Sequence, residues 1–156
     1  MAVEIERKFR VVNGGWRTHP SSDGGVRYTQ GYLNRDKTRT VRVRVAGAQG
    51  WLTIKGISTG ATRAEFEYPI PLADAQALLA LCDTPLIDKT RHTLNHAGTV
   101  WEVDEFHGDN AGLVVAEVEL AAEDQPFERP DWLGGEVTHD PRYFNSALIA
   151  HPFVRW

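Results

Sequence analysis

Apolar and polar residues alternate with a period of two along most of the chain, the pattern of strands whose two faces meet different environments. In residues 2–12, Val3, Ile5 and Phe9 hold one parity and Glu4, Glu6 and Lys8 the other. Similar runs follow at 28–33, 39–46, 50–55, 63–70, 86–95, 99–107 and 113–121, so the pattern predicts eight strands. Breaks at Gly47 with Gly50, Gly56 with Gly60, His96-Ala97-Gly98 and Gly108-Asp109-Asn110 separate several of them, and connections this short imply antiparallel neighbours. Two stretches have helical spacing instead. Residues 72–82 carry Leu72, Ala75, Leu78, Leu79 and Cys82 at i, i+3, i+4 intervals behind Pro71 and read as a lid or brace. A second helix starts near Asp140-Pro141, a cap followed by a first-turn proline, and continues through Tyr143, Phe144, Leu148 and Ile149 to Pro152, packed outside the sheet. Residues 122–138, acidic and broken by two prolines and two glycines, read as an irregular connection.

The polar parity of these strands is ionic rather than merely hydrophilic. It collects the acids Glu4, Glu6, Glu65, Glu67, Glu102, Asp104, Glu117 and Glu119, and the bases Lys8, Arg42, Arg44, Lys55, Arg63, Lys89 and Arg91. On a single strand this would be a solvated face with ion pairs of almost no net energy. Seven of the eight predicted strands contribute, however, while the opposite parity is rich in Val, Ile, Leu, Phe, Tyr and Trp. With only two helices available to cover that apolar face, the economical solution is a sheet closed on itself. The predicted fold is therefore mainly β with flanking helices (α+β), an eight-stranded antiparallel closed barrel. The apolar face turns either outward, under helices and loops, or inward to a small core; the first choice leaves a charged lumen.

Ions facing one another away from water must be paired, metal-bound or wet. Glu4 with Glu6, and Glu117 with Glu119, set two carboxylates on one strand face roughly 7 Å apart. Like charges at that spacing ask for a cation, and oxygen ligands without a cysteine pair select a hard divalent ion such as Mg²⁺ or Mn²⁺. The arginines and lysines of neighbouring strands ask for a polyanion, which Arg42 and Arg44 can grip in bidentate fashion while Lys8, Lys55, Lys89 and Arg91 add further charge. Eight acids against seven bases leave the set at −1. Two divalent ions would bring it to +3, close to balance with a tripolyphosphate of roughly −4 to −5.

Composition narrows the partners. The 156 residues, 42% hydrophobic and 24% charged, read as one domain over 1–156 without a transmembrane-length apolar run. Seventeen basic against 21 acidic residues give −4, which lacks the footprint of a nucleic-acid binder. One cysteine, Cys82, excludes an internal disulfide, and the first residues lack a signal core, so a cytoplasmic location is expected, with neither nucleic acid nor membrane as partner. Among six histidines only His92 and His96 are four apart, a spacing that suits helical rather than strand ligands. Gly14-Gly15 and Asp23-Gly24-Gly25 lack a strand-to-helix context and read as turns. Trp51 and Trp101 read as packing residues, although either could stack a ring at a tunnel mouth. Cys82 reads as buried and inert.

The segment Glu4-Ile5-Glu6-Arg7-Lys8 resembles the Glu-x-Glu-x-Lys signature of the CYTH superfamily, the triphosphate tunnel metalloenzymes. Val41-Arg42-Val43-Arg44, Thr53-Ile54-Lys55-Gly56, Glu65-Phe66-Glu67, Asp88-Lys89-Thr90-Arg91, Trp101-Glu102-Val103-Asp104 and Ala116-Glu117-Val118-Glu119-Leu120 follow in the family's order, and Asp140-Pro141-Arg142-Tyr143-Phe144-Asn145-Ser146 looks like the tail of its short, single-domain bacterial members. The resemblance implies an eight-stranded tunnel that binds a linear triphosphate and cleaves a phosphoanhydride with divalent metal. It further implies that Glu117 and Glu119 hold a metal that bridges substrate oxygens, and that Glu4 and Glu6 hold a second metal or the attacking water. Lys8, Arg42, Arg44, Lys55, Lys89 and Arg91 would bind phosphates, with Lys55 also stabilising the leaving group. Tyr32 matches a tyrosine of the short bacterial members, and with Glu4, Glu6, Lys8 and Lys55 completes the expected catalytic set. Glu65, Glu67, Glu102 and Asp104 would orient the bases or complete the metal shell.

The expected activity is an inorganic triphosphatase in which a metal-activated water splits tripolyphosphate to pyrophosphate and phosphate, a reaction that needs positioning and charge neutralisation more than a protein nucleophile. The family also contains nucleoside and thiamine triphosphatases and class IV adenylate cyclases, but no base-reading Asn or Gln trio is evident, so a nucleoside triphosphate ranks behind the bare triphosphate. A non-catalytic polyphosphate or nucleotide-binding module is disfavoured by the acid pairs, which a pure anion binder would do better without. The sequence leaves the oligomeric state open, a homodimer being one arrangement it allows.

Overall fold

The computed structural model describes residues 2–156. Its strands are β1 (Val3–Val11), β2 (Val26–Asn34), β3 (Arg39–Ala46), β4 (Gln49–Gly56), β5 (Thr62–Ile70), β6 (Ile87–His96), β7 (Thr99–Phe106), β8 (Val114–Glu119) and β9 (Leu133–Glu136); its helices are α1 (Leu72–Leu79) and α2 (Asn145–Ala150). Eight strands close into an antiparallel barrel in the order β1-β5-β4-β3-β2-β6-β7-β8, and β8 returns to β1. The closing pairs set Glu4 opposite Arg63 and Glu6 opposite Glu119. Closure removes the exposed edges that a sheet of this length would otherwise present.

Local chemistry fixes the register. Ala97 and Gly98, both at positive φ, make the two-residue turn whose twist suits the β6–β7 hairpin. At Gly50 of β4 a Cβ would stand 2.7 Å from that of Ala75, so the missing side chain lets α1 lie directly on the barrel. There α1 covers Val43, Val45, Leu52 and Ile70. The helix ends at Leu79, short of the expected Cys82, because the Ala80 amide donates to the Ala77 carbonyl and the Leu81 amide to the Leu78 carbonyl, i to i−3 bonds that tighten the last turn. Cys82 lies just beyond, buried, its thiol donating to the Leu78 carbonyl at 3.4 Å.

Three expectations are corrected. The connection 122–138 is not wholly irregular, since it contains β9, which pairs with the end of β1 through Phe9 opposite Glu136 and Val11 opposite Leu133. β1 gives one edge to β8 and shares the other between β5 and β9, and Gly134-Gly135 masked the strand because a glycine pair reads as a turn. The C-terminal helix is split into a 3₁₀ turn at Pro141–Tyr143, capped by the Asp140 carboxylate, and α2, with Phe144 extended between them. Nor does α2 pack outside the sheet. Leu148 and Ile149 cluster with Tyr32, Ile87, Phe106, Leu113 and Val115, which lie on or continue the inward parity of β2, β6, β7 and β8. The inner face is thus ionic along most of its length and apolar at one end, where the C-terminal segment seals it. Elsewhere the apolar parity faces outward, and Phe9, Trp101, Val103, Ala116 and Val118 are covered by Trp16, Trp132 and Leu133. Among the described residues, no helix is long and apolar enough to cross a membrane.

Candidate active site

Period-two geometry carries the charged parity of seven strands into one cavity of about 660 Å³. Fourteen of the fifteen ionic residues expected to share a lumen line it: Glu4, Glu6 and Lys8 from β1, Arg42 and Arg44 from β3, Lys55 from β4, Arg63, Glu65 and Glu67 from β5, Lys89 and Arg91 from β6, Glu102 from β7, and Glu117 and Glu119 from β8. The fifteenth, Asp104, is fully buried behind Lys89 and Arg91. Tyr32 and Trp51 also line the cavity. Trp101 does not; it is packed outside, edge-on to Phe9, Phe127 and Trp132. His92 likewise sits outside against Trp16 at 4.8 Å.

Most of these charges are internally matched. Lys55 donates to both oxygens of Glu4 at 3.1 Å and lies 3.3 Å from Glu65, while Arg63 reaches Glu4 at 3.4 Å. Lys8 stands 3.5 Å from Glu117. Asp104 accepts from Lys89 at 2.7 Å and from Arg91 Nε and Nη2 at 2.8 and 2.9 Å, and Arg91 reaches on to Glu102 and Glu117. Arg42 approaches Glu67 at 3.3 Å, with Thr53 bridging the two. Burial alone would push the Glu4 carboxyl up, but Lys55, its neighbour Glu65 and Arg63 overcome it and hold Glu4 at about 2. Glu117 is likewise held well below the carboxylate range against burial by Lys8, Arg91 and Lys89. Buried pairs recover little beyond their desolvation cost, so their contribution is the fixed placement of charge.

Two groups of charge have no such match. Glu6 and Glu119 are directly opposed across β1 and β8, and among the described residues neither carboxylate has a basic group within 4.0 Å. Like charges in that relation are destabilising. Burial, then the charges of Glu117 and Glu4, push Glu6 up to about 8, and burial with Glu4 and Glu102 raises Glu119. Across the lumen, Arg44 has no carboxylate partner among the described residues, its Nε donating instead to the Gln30 amide oxygen at 2.8 Å. Burial, with Arg42 and Arg91 alongside, lowers Arg44 to about 9. The Nε of Arg42 is buried without an acceptor, a cost of about 1–3 kcal/mol for an orphaned group.

An opposed, unpaired carboxylate pair fits a hard divalent ion, since oxygen donors with excess negative charge are what such an ion takes. Among the described residues no three His, Cys, Asp or Glu side chains converge as a preformed cage. Glu4 and Glu117 are turned to Lys55, Arg63, Lys8 and Arg91, which leaves Glu6 and Glu119 as the open donors.

Sequence reasoning missed two polar residues here. Gln30, fully buried on β2, and Asn145, at the start of α2, are hydrogen-bonded to each other at 3.1 Å, and the Asn145 amide oxygen also accepts from Lys89 at 3.0 Å. Gln30 shares the inward parity of Tyr28 and Tyr32 and could have been found on that signal. Asn145 sits beyond the strand pattern, in the tail that resembles the short bacterial members, and nothing in that resemblance gave it a role.

A closed antiparallel barrel with opposed carboxylates on one wall and under-satisfied guanidinium groups on another sets donors suited to a cation and donors suited to an anion in one cavity. The CYTH domain model matches residues 2–146, and the chain belongs to that family. It is 50% identical over 154 residues to an inorganic triphosphatase of Acetivibrio thermocellus, covering 98% of this chain and 97% of that protein. An inorganic triphosphatase of Nitrosomonas europaea is 35% identical over 151 residues, covering 94% and 96%. The crystal structure of an inorganic triphosphatase superposes with a TM-score of 0.67 at 33% identity, over 94% of this chain and 97% of that one. A Hippeastrum protein described as an adenylyl cyclase with dominant triphosphatase activity shares the fold at 13% identity, with a TM-score of 0.58 over 76% and 80% of the two chains.

Proposed function

We propose that this protein is a divalent-metal-dependent inorganic triphosphatase that splits tripolyphosphate into pyrophosphate and phosphate inside the barrel, and that residues 1–156 form one such domain working in the cytoplasm. The observation that carries this reading is the opposition, in one cavity, of the unpaired Glu6/Glu119 carboxylates to Arg44 and the unsatisfied Nε of Arg42. Full-length similarity to two inorganic triphosphatases supports it.

Glu6 and Glu119 would hold Mg²⁺ or Mn²⁺, with Glu4 and Glu117 as further ligands. When bound, the ion neutralises phosphate oxygens and makes water a better nucleophile. Arg42 and Arg44 offer forked donors to successive phosphates, and Lys89 and Arg91, braced by Asp104, extend that wall. Lys8 and Lys55 are buried partners of Glu117 and Glu4; pairing of both lysines with a polyanion would leave the two carboxylates available to help hold the ion. In the bound state the internal ion pairs would give way to pairs with substrate and metal. Lys55, which stands between Glu4 and Glu65 in the unliganded protein, would take up charge on the departing phosphate, while Tyr32 borders the apolar, sealed end. Glu65, Glu67 and Glu102 each stand against one cation and fix its position.

Phosphorus NMR of reactions with Mg²⁺ or Mn²⁺ and tripolyphosphate, ATP, thiamine triphosphate or pyrophosphate tests the reading. Conversion of tripolyphosphate to pyrophosphate and phosphate, much faster than attack on ATP and abolished by chelation, is expected. Cyclic AMP from ATP, or binding of tripolyphosphate without turnover, would contradict it.

A further inference from the structure

Gln30 and Asn145 form a bridge whose polarity has only one solution. Lysine and arginine can donate but never accept, so Lys89 must face the Asn145 amide oxygen and Arg44 must face the Gln30 amide oxygen. The remaining contact then has to run from the Gln30 amide nitrogen to the same Asn145 oxygen, as it does at 3.1 Å. Flipping either amide would set donor against donor. Arg44 on β3 and Lys89 on β6, which lie on opposite sides of β2, are thereby tied to one acceptor delivered by the C-terminal segment. The neighbouring residue repeats the arrangement, for the Phe144 ring lies 5.7 Å from the Lys8 ammonium. Asn145 also lines the cavity, and among the described residues its amide nitrogen donates to no protein acceptor.

We propose that Asn145 is a positioning residue of the phosphate site, through which the C-terminal segment that seals the barrel sets Lys89 directly and Arg44 by way of Gln30. The inference rests on the triphosphatase reading and adds to it the residue that fixes two phosphate-binding cations relative to each other. It explains why α2 begins at residue 145 and not at 141, because the extended Phe144 between the two turns brings Asn145 to the cavity wall. Electrostatics agree, since burial, against Asp104 but with Arg91 and Arg44, lowers Lys89 to about 7, and an oriented carbonyl dipole favours its charged form.

The test compares wild type with Asn145→Ala and Asn145→Asp by steady-state kinetics on tripolyphosphate with Mg²⁺, and by thermal shift with tripolyphosphate in chelator, where no turnover occurs. Asn145→Ala should raise KM about tenfold with kcat changed less than about threefold, the signature of lost uniform binding. Its ligand-induced thermal shift should shrink, while the melting temperature without ligand stays within a few degrees. Asn145→Asp keeps an acceptor for Lys89 and Gln30 but adds a negative charge that competes with phosphate, so it should melt no lower than wild type and bind more weakly than Asn145→Ala. A lower melting temperature with unchanged KM in Asn145→Ala would make the residue a structural wedge and overturn the inference. Should that variant not fold, Asn145→Ser, which keeps one acceptor, decides on the same scale: a raised KM supports positioning and a wild-type KM overturns it. Wild-type protein that neither binds nor hydrolyses tripolyphosphate would overturn the proposed function; variants that match an active wild type would overturn this inference alone.

Discussion

The lumen and the outer wrap of the barrel are built from the same strands and obey opposite rules. On the outside, Phe9, Trp101, Val103 and Val118 are buried against loops by area and edge-on ring packing. On the inside, the alternate residues of those strands are ions whose mutual pairing recovers little more than the cost of removing them from water. Stability is therefore concentrated in the wrap and chemistry in the lumen. The difference also shows where ions stand unmatched: among the described residues Glu6, Glu119 and Arg44 have no opposite charge beside them, the arrangement that binding of a cation and an anion would complete.

Substitutions should separate the two regions. Trp101→Ala, which opens a void beneath Phe127 and Trp132, should cost about 3–5 kcal/mol of stability, read by denaturant unfolding, while the activity of whatever protein remains folded is retained. Glu119→Gln should do the reverse. Turnover should fall about 10²–10³-fold, the scale of one lost electrostatic contact to the reacting centre, with the melting temperature unchanged or raised because a like-charge pair is relieved. Glu119→Asp, one methylene shorter, should also cripple turnover, and full activity in the Gln variant would remove this residue from the metal site. Arg44→Lys, charge-preserving but unable to fork, should raise KM about tenfold with a smaller effect on kcat.

The smallest effect belongs to the wrap. A hydrogen-bonded pair from Arg7, at 2.8 Å to each oxygen, with Thr138 adding a third bond, draws Glu136 of β9 down from 4.5 to about 2. A depressed folded pKa stabilises above the unfolded value, so this contribution is complete above about pH 4.5 and fades as pH falls toward 2. The pair is partly exposed and worth less than about 1 kcal/mol. Acid unfolding of Glu136→Gln should begin within a few tenths of a pH unit of wild type, and a large shift would show that β9 is more than a strap.

The strand pattern made the barrel and most of its lumen legible, because period two converts sequence parity directly into inside and outside. Fourteen of fifteen ionic residues on one parity share the cavity for that reason. Pairing was not legible: no spacing tells that Lys55 turns to Glu4 or that Glu6 meets Glu119, since both depend on which strands close the barrel. The C-terminal segment was misread because its apolar residues suit either an outer brace or an end plug, and only three-dimensional closure decides. Asn145 stood within that segment, but its contacts were not legible for the same reason, as they depend on groups brought from two other strands.

Charge unmatched within the protein is expected to mark where metal and polyanion bind together. The direct measurement is calorimetric titration with Mn²⁺, with and without a non-hydrolysable imido analogue of tripolyphosphate, in wild type and Glu119→Gln, corrected for complexation of the ion by the analogue alone. Mutual enhancement of binding in wild type, absent from a variant that still binds the analogue, is the predicted result. Analogue binding indifferent to Mn²⁺, or enhancement undiminished in Glu119→Gln, would contradict it.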